Sequence, residues 1–206
     1  AELNLQNQVL EVSQKKISES INYASHIQTS VLLREEDIQV HLPDCFIYNQ
    51  PRDVVSGDFC WFHKDGDRIV IAAIDCTGHG VPGAFMSMLG LTYLNEIVNH
   101  EGVLKASEIL NRLRRSIITS LSHKDEEDQA KDGMDISLVV IDRQLDMLEF
   151  SGAYNPMILV RNGELIEYKG DKMPVGRHIV EQRPFTNNRV QLEQNDMIYL
   201  YSDGFS

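Results

Sequence analysis

The chain has 206 residues, 42% of them hydrophobic, enough for one sizeable core and a short appended element. The 19 Lys and Arg against 31 Asp and Glu give a formal net charge of -12, which argues against sequence-independent attraction to nucleic acid or to an anionic membrane. Cys45, Cys60 and Cys76 show no zinc-like spacing and leave an odd thiol, and no apolar run reaches membrane-spanning length, so the chain reads as cytoplasmic.

From Ala1 to about Leu33 there is neither Pro nor Gly, and Leu10, Ile17, Ile21, Ala24, Ile27 and Val31 recur at helical steps. The spacing predicts a helix of several turns with one apolar stripe. That stripe needs cover, either from the domain that follows or from a second copy of itself in a coiled-coil homodimer. Residues 1–33 are therefore expected to form a linker or regulatory helix, and 34–206 a folded domain. After Pro43, short alternating or apolar runs bounded by turn residues predict strands at Cys45–Asn49, Phe59–His63, Arg68–Asp75, Ile136–Asp142 and Met147–Ser151. Further strands are expected at Met157–Val160, Leu165–Tyr168, Arg189–Leu192 and Met197–Tyr201, with hairpin turns at Asp65-Gly66 and Asn162-Gly163. Two helices interrupt them, from Pro82 to about Asn99 and over Ala106–Leu121, and the charged Lys124–Lys131 stretch reads as a solvated loop. Strands in the majority with an inserted helical pair fit an α+β layered domain better than a βαβ repeat.

Asp75 closes an apolar strand and is followed at once by the Gly78-His79-Gly80 turn and a helix. A carboxylate at a strand end is rarely buried alone, because an unpaired desolvated charge costs several kcal/mol. Neither Lys nor Arg lies near Asp75 in sequence, and the Asp65-Gly66 hairpin returns the chain so that Asp58 and Asp75 share one end of two adjacent strands. Hard oxygen ligands without a His or Cys cluster favour Mg²⁺ or Mn²⁺. Met197–Tyr201 repeats the pattern, an apolar strand followed by Ser202, Asp203 and Gly204. Each of these aspartates, taken singly, also reads as an ordinary turn residue.

Six ordered motifs carry a resemblance. They are Arg52 to Phe59 (RDVVSGDF), Asp75 to Met88 (DCTGHGVPGAFMSM), Asp132 to Ile136 (DGMDI), Ser151 to Pro156 (SGAYNP), Gly170 to Gly176 (GDKMPVG) and Tyr201 to Ser206 (YSDGFS). Together they resemble the successive motifs of bacterial SpoIIE-type phosphatases, a branch of the metal-dependent PPM superfamily, across most of residues 43–206. The stretch Ser18 to Gln28 is similar to the helix that often joins a sensor domain to this module.

The resemblance implies an α-β-β-α sandwich of two antiparallel sheets flanked by helices, with two Mn²⁺ or Mg²⁺ ions at one edge. It implies that Asp75 bridges both ions, that Asp58 and Asp203 each complete one, and that the backbone carbonyl of Cys76 is a further ligand. The family commonly has Gly at position 76, but a main-chain ligand does not depend on the side chain. Family members continue through a further helix and strand with another metal-binding aspartate, so the ligand set in these 206 residues is expected to be incomplete.

The chemistry expected is metal-activated water attacking phosphoserine or phosphothreonine on a regulatory protein such as a STAS-type anti-anti-sigma factor, with an upstream sensor coupled through the N-terminal helix. His79 is a candidate proton donor to the leaving oxygen or a turn residue, and Arg52 a phosphate contact or a surface arginine. Asp132 and Asp135 are candidates for an additional ion or for a plain loop-to-strand turn. The rival readings are a pseudo-phosphatase or dimeric scaffold that binds a phosphoprotein without turnover, and a nucleotide phosphohydrolase. The last is disfavoured because no Gly-rich Lys-Ser/Thr loop is present.

Overall fold

The computed structural model describes residues 2–121, 132–178 and 183–205, so the expected Lys124–Lys131 loop lies outside the described residues. The first element, α1 (Glu2–Val31), is a single 30-residue helix. Every side chain from Leu3 to Ser20 is exposed, and only the face carrying Ile21, Ser25 and Gln28 turns inward, continued by Leu32, which packs against the core. The short α2 (Glu35–Gln39) follows and buries Ile38.

The strand expected at Cys45–Asn49 does not form; residues 43–58 are irregular. Two of its backbone groups are taken by α2 side chains: Ile47 N donates to Glu35 Oε2 at 3.1 Å, and Cys45 O accepts from Gln39 Nε2 at 3.2 Å. Phe46 and Tyr48 are 69% and 71% exposed, so the alternation has no covered face to define a sheet.

The remaining strands form where expected, within one to three residues at their ends. The larger sheet runs β1 (Phe59–Asp65), β2 (Arg68–Cys76), β3 (Gly133–Asp142), β4 (Met147–Ala153) and β8 (Asn188–Gln191), all antiparallel, with the two-residue β7 (Val175–Gly176) paired to the start of β3. The smaller sheet is β6 (Glu164–Tyr168), β5 (Met157–Arg161) and β9 (Met197–Leu200). Between β2 and β3 lie α3 (Gly80–Leu94), which passes into a π-helical turn at Asn95–His100, and α4 (Ala106–Ser120). Pro82 occupies the first turn of α3, where the missing N–H has no helical acceptor to lose.

Strand alternation builds two cores. Ile136, Leu138 and Val140 of β3 face Ile109, Leu113 and Ile117 of α4, whereas Val139 on the opposite face meets Phe150, Met157 and Leu159 between the sheets. The result is an α+β sandwich of two stacked antiparallel sheets, with α3 and α4 on the larger one and α1 preceding it. On the outer face of the smaller sheet Leu165 and Met197 are 65% and 50% exposed. Among the described residues no helix is long and apolar enough to cross a membrane.

Phe150 is fully buried between the sheets, edge-on to Tyr168 with ring centroids 6.5 Å apart. Phe150→Ala is expected to cost about 3–5 kcal/mol, measured by urea denaturation, because rigid sheets on both sides cannot collapse into the cavity.

Candidate metal centre

The β1–β2 ladder runs without a bulge from Asp65↔Arg68 to Phe59↔Ile74, so Asp58 and Asp75 stand just beyond and beside its open end. In the next ladder Asp75 pairs with Asp135. Val70, Ala72 and Ile74 of β2 belong to the helix-side core, so Asp75, and Asp135 with it, face the side of the second sheet. Asp203 arrives from that second sheet, in the 3₁₀ turn Asp203–Phe205 after β9. Its neighbour Ser202 fastens the two sheets at this point, donating through Oγ to Asp58 Oδ2 at 3.0 Å.

Burial pushes the Asp75 carboxyl up to about 7, helped by the charge of Asp58, a carboxyl–carboxyl hydrogen bond with it, and the charges of Asp203 and Asp135. Asp135 is pushed up to about 6 by burial and then by Asp203. Among the described residues the charged groups acting on Asp75 are all acids. Among the described residues no three His, Cys, Asp or Glu side chains converge closely enough to enclose an ion. The acids instead act on Asp75 from three separate elements. The donor set nonetheless fits a hard divalent cation, since partly desolvated carboxylates facing one another gain most from a bound positive charge. Ser137 Oγ, on the same face of β3 as Asp135, is buried without a hydrogen-bond partner among the described residues, which adds polar character beneath the acids.

The Cys76 carbonyl lies beside this centre. A Cβ on Gly57 would sit 3.2 Å from Cys76 O and 3.1 Å from Gly78 O, so the residue before Asp58 packs directly on the turn after Asp75. The Cys76 side chain points into the helix-side core, and burial pushes its thiol up. Gly78 and Gly80 hold φ of +87° and +62°, the left-handed turn that lets α3 begin immediately. Thr77 ties this turn to β3, its N and Oγ1 both meeting Gly133 O, at 3.0 and 3.1 Å.

His79 is the N-cap of α3 and exposed, with Nδ1 3.1 Å from Asp53 Oδ2. Arg52 is exposed on the same loop. Asp132 directly precedes β3, while the β2–β3 register sets Asp135 opposite Asp75. Sequence reasoning missed Asp53, Ser56 and Ser202. Ser202 adjoins Asp203, but its contact with Asp58 spans 144 positions and has no local signature.

Residues 65–206 match the family model for Stage II sporulation protein E (SpoIIE). The chain belongs to the SpoIIE family. It is 26% identical over 203 residues, 97% of its length, to the phosphoserine phosphatase RsbU of Bacillus subtilis (strain 168), of which it spans 57%. The SiaA-PP2C domain of Pseudomonas aeruginosa superposes with a TM-score of 0.81 at 32% identity, over 94% of this chain and 74% of that one. The PP2C phosphatase domain of Bacillus subtilis SpoIIE shares the fold at a TM-score of 0.56 and 19% identity, over 69% of this chain and 40% of that one. The chain is thus a SpoIIE-family domain similar to PP2C-type domains, a class that is metal-dependent in general. The family match begins after Asp58, and the alignments with RsbU and the SiaA-PP2C domain extend over nearly the whole chain.

Proposed function

We propose that this SpoIIE-family domain hydrolyses phosphoserine or phosphothreonine on a regulatory protein, using two Mn²⁺ or Mg²⁺ ions. The observation that carries the reading is the placement of four acids: Asp58 and Asp75 at the open end of the β1–β2 ladder, Asp135 paired opposite Asp75, and Asp203 arriving from the second sheet, with burial and these acids pushing the Asp75 carboxyl up to about 7. Asp58, Asp75, Asp203 and the Cys76 carbonyl would hold the ions, with Asp135 beside them. Ions bound there would supply an acidified water and offset charge on the phosphoryl oxygens. His79, held by Asp53 at the exposed mouth, is placed to return a proton to the leaving serine oxygen, and Arg52 on the same loop to meet the phosphate. The substrate class follows RsbU, named a phosphoserine phosphatase, and a STAS-type anti-anti-sigma factor is the partner we favour.

The test is Mn²⁺-dependent release of phosphate from a phosphoserine peptide and of nitrophenol from its phosphate ester. Turnover that ceases with EDTA and returns with Mn²⁺ is expected; no turnover at any metal concentration would leave the phosphoprotein-binding scaffold as the reading.

Residues 1–33 form the regulatory unit in this proposal. Leu3, Leu10, Ile17 and Val31 are 68%, 57%, 58% and 44% exposed and lie at multiples of seven residues, the seam of a coiled coil with a second copy. An isolated helix of this composition is marginal in water. The paired change Leu10→Glu and Ile17→Glu is expected to halve the mass seen by light scattering. A wild-type chain that is already monomeric rules out the dimer.

A further inference from the structure

The N-terminal helix reaches the acidic centre through one buried side chain. Gln28 is 5% exposed, and its carboxamide closes on Ser56 from both directions. Nε2 donates to Ser56 O at 2.7 Å, and Oε1 accepts from Ser56 N at 3.0 Å. Nε2 also donates to Ser87 Oγ at 2.9 Å, and that wholly buried hydroxyl donates on to Ala84 O inside α3. Ser56 in turn brackets Asp58, its Oγ donating to Asp58 O at 2.9 Å and accepting from Asp58 N at 3.1 Å. One helical turn back, Ser25 Oγ donates to Val54 O at 2.8 Å. Helix α1 therefore grips the loop that carries Asp58 at two points, and one of those points is shared with α3, the helix that follows Asp75.

This arrangement needs a carboxamide. A carboxylate cannot donate to Ser56 O and Ser87 Oγ, and an aliphatic side chain would leave Ser56 N and O without this partner and take one of the two hydrogen bonds of Ser87 Oγ. Neither helix packing nor solubility asks for a glutamine here, since the surrounding inward face of α1 is satisfied by Ile21 and Leu32.

We propose that Gln28 is a positioning residue: by holding α1, the 54–58 loop and α3 in one register it presents Asp58 to Asp75, and so sets the affinity of the centre for divalent cations. The proposal rests on the metal-dependent reading above. Removing groups that orient metal ligands weakens metal binding by about 10- to 100-fold, and Gln28 stands two hydrogen bonds from the Asp58 backbone.

The experiment is calorimetric titration of the chain with Mn²⁺, with amide hydrogen exchange over residues 54–58, for the wild type, Gln28→Leu and Ser87→Ala. Gln28→Leu is expected to raise the Mn²⁺ Kd by about 10- to 100-fold and to speed exchange at the Ser56 amide, which loses its acceptor. Ser87→Ala, which removes one of the three bonds, is expected to give a smaller rise in the same direction, and it carries the test if Gln28→Leu does not fold. Activity lost at low Mn²⁺ and recovered at saturating Mn²⁺ is the pattern of a positioning role; a merely structural role would lower thermal stability and leave Kd where it was. A folded Gln28→Leu, or in its absence Ser87→Ala, that binds Mn²⁺ as tightly as the wild type overturns the proposal alone. A wild-type chain that binds no Mn²⁺ overturns the metal reading and this proposal together.

Discussion

Asp75→Asn is expected to abolish Mn²⁺-dependent hydrolysis of a phosphoserine peptide and, in the absence of metal, to make the protein more stable. The first effect follows from position: Asp75 is the acid on which Asp58, Asp135 and Asp203 all act, and the amide keeps its shape while losing the charge. A site that loses several kcal/mol of transition-state charge stabilisation loses about 1000-fold or more in rate. The second effect follows from linkage. In the unfolded chain Asp75 titrates near 3.8, and in the folded one near 7, so between these values the folded state binds more protons. Stability of the metal-free protein therefore rises as pH falls from about 7 towards 4, and the full penalty of the charged form is present above 7. Asp135, pushed up to about 6, acts in the same direction. Solvent reaches the half-buried carboxyl and screens the effect, leaving about 1–2 kcal/mol for Asp75. Melting in EDTA at pH 8 and pH 5.5 tests this: the wild type is expected to melt higher at pH 5.5, and Asp75→Asn to flatten that difference and melt about 3–6 °C higher at pH 8. A mutant as active as its parent, or one with the parent's pH dependence, contradicts the assignment of Asp75.

How much of this was legible in the sequence depended on the range of each contact. The Asp58–Asp75 pairing follows from one hairpin, and the structure sets the two at the same end of the β1–β2 ladder as the Asp65-Gly66 turn requires. Asp203 could be joined to them only through the family resemblance, because its approach depends on the stacking of a second sheet. Asp135 was legible as a candidate ligand or turn residue just ahead of a strand, but its place within β3 opposite Asp75 was not, since the chain between β2 and β3 passes through both helices. The Cys45–Asn49 alternation misled for a specific reason: its backbone is bound by Glu35 and Gln39 side chains, which no periodicity reveals. Gln28 belongs to the same class. It reads as one polar residue on a helix, and only the fold discloses that Ser56 and Ser87 meet it.

Two glycines on α3 separate packing from catalysis. A Cβ at Gly83 would lie 2.5 Å from Gly78 O and 3.2 Å from Gly57 Cα, so both obstacles are backbone, one in the turn after Asp75 and one beside Asp58. Neither can yield without moving a proposed ligand. A Cβ at Gly90 would instead meet the Cε and Sδ of Met134 at 2.8 and 2.9 Å, the far end of a flexible side chain that can rotate aside. Both changes to Ala also gain helix propensity, about 1 kcal/mol each, which offsets part of the strain. Gly83→Ala is therefore expected to lose about 100-fold in kcat/KM for a phosphoserine peptide, the usual consequence of displacing reacting groups by about 1 Å. Gly90→Ala is expected to stay close to the wild type in rate. The stabilities of the two variants are expected to lie much closer together than their activities, measured by urea denaturation beside the Mn²⁺ assay. If Gly83→Ala keeps full activity, the close approach of the Asp58 loop, the Cys76–Gly78 turn and α3 has no part in shaping the centre, and the acids alone must account for it.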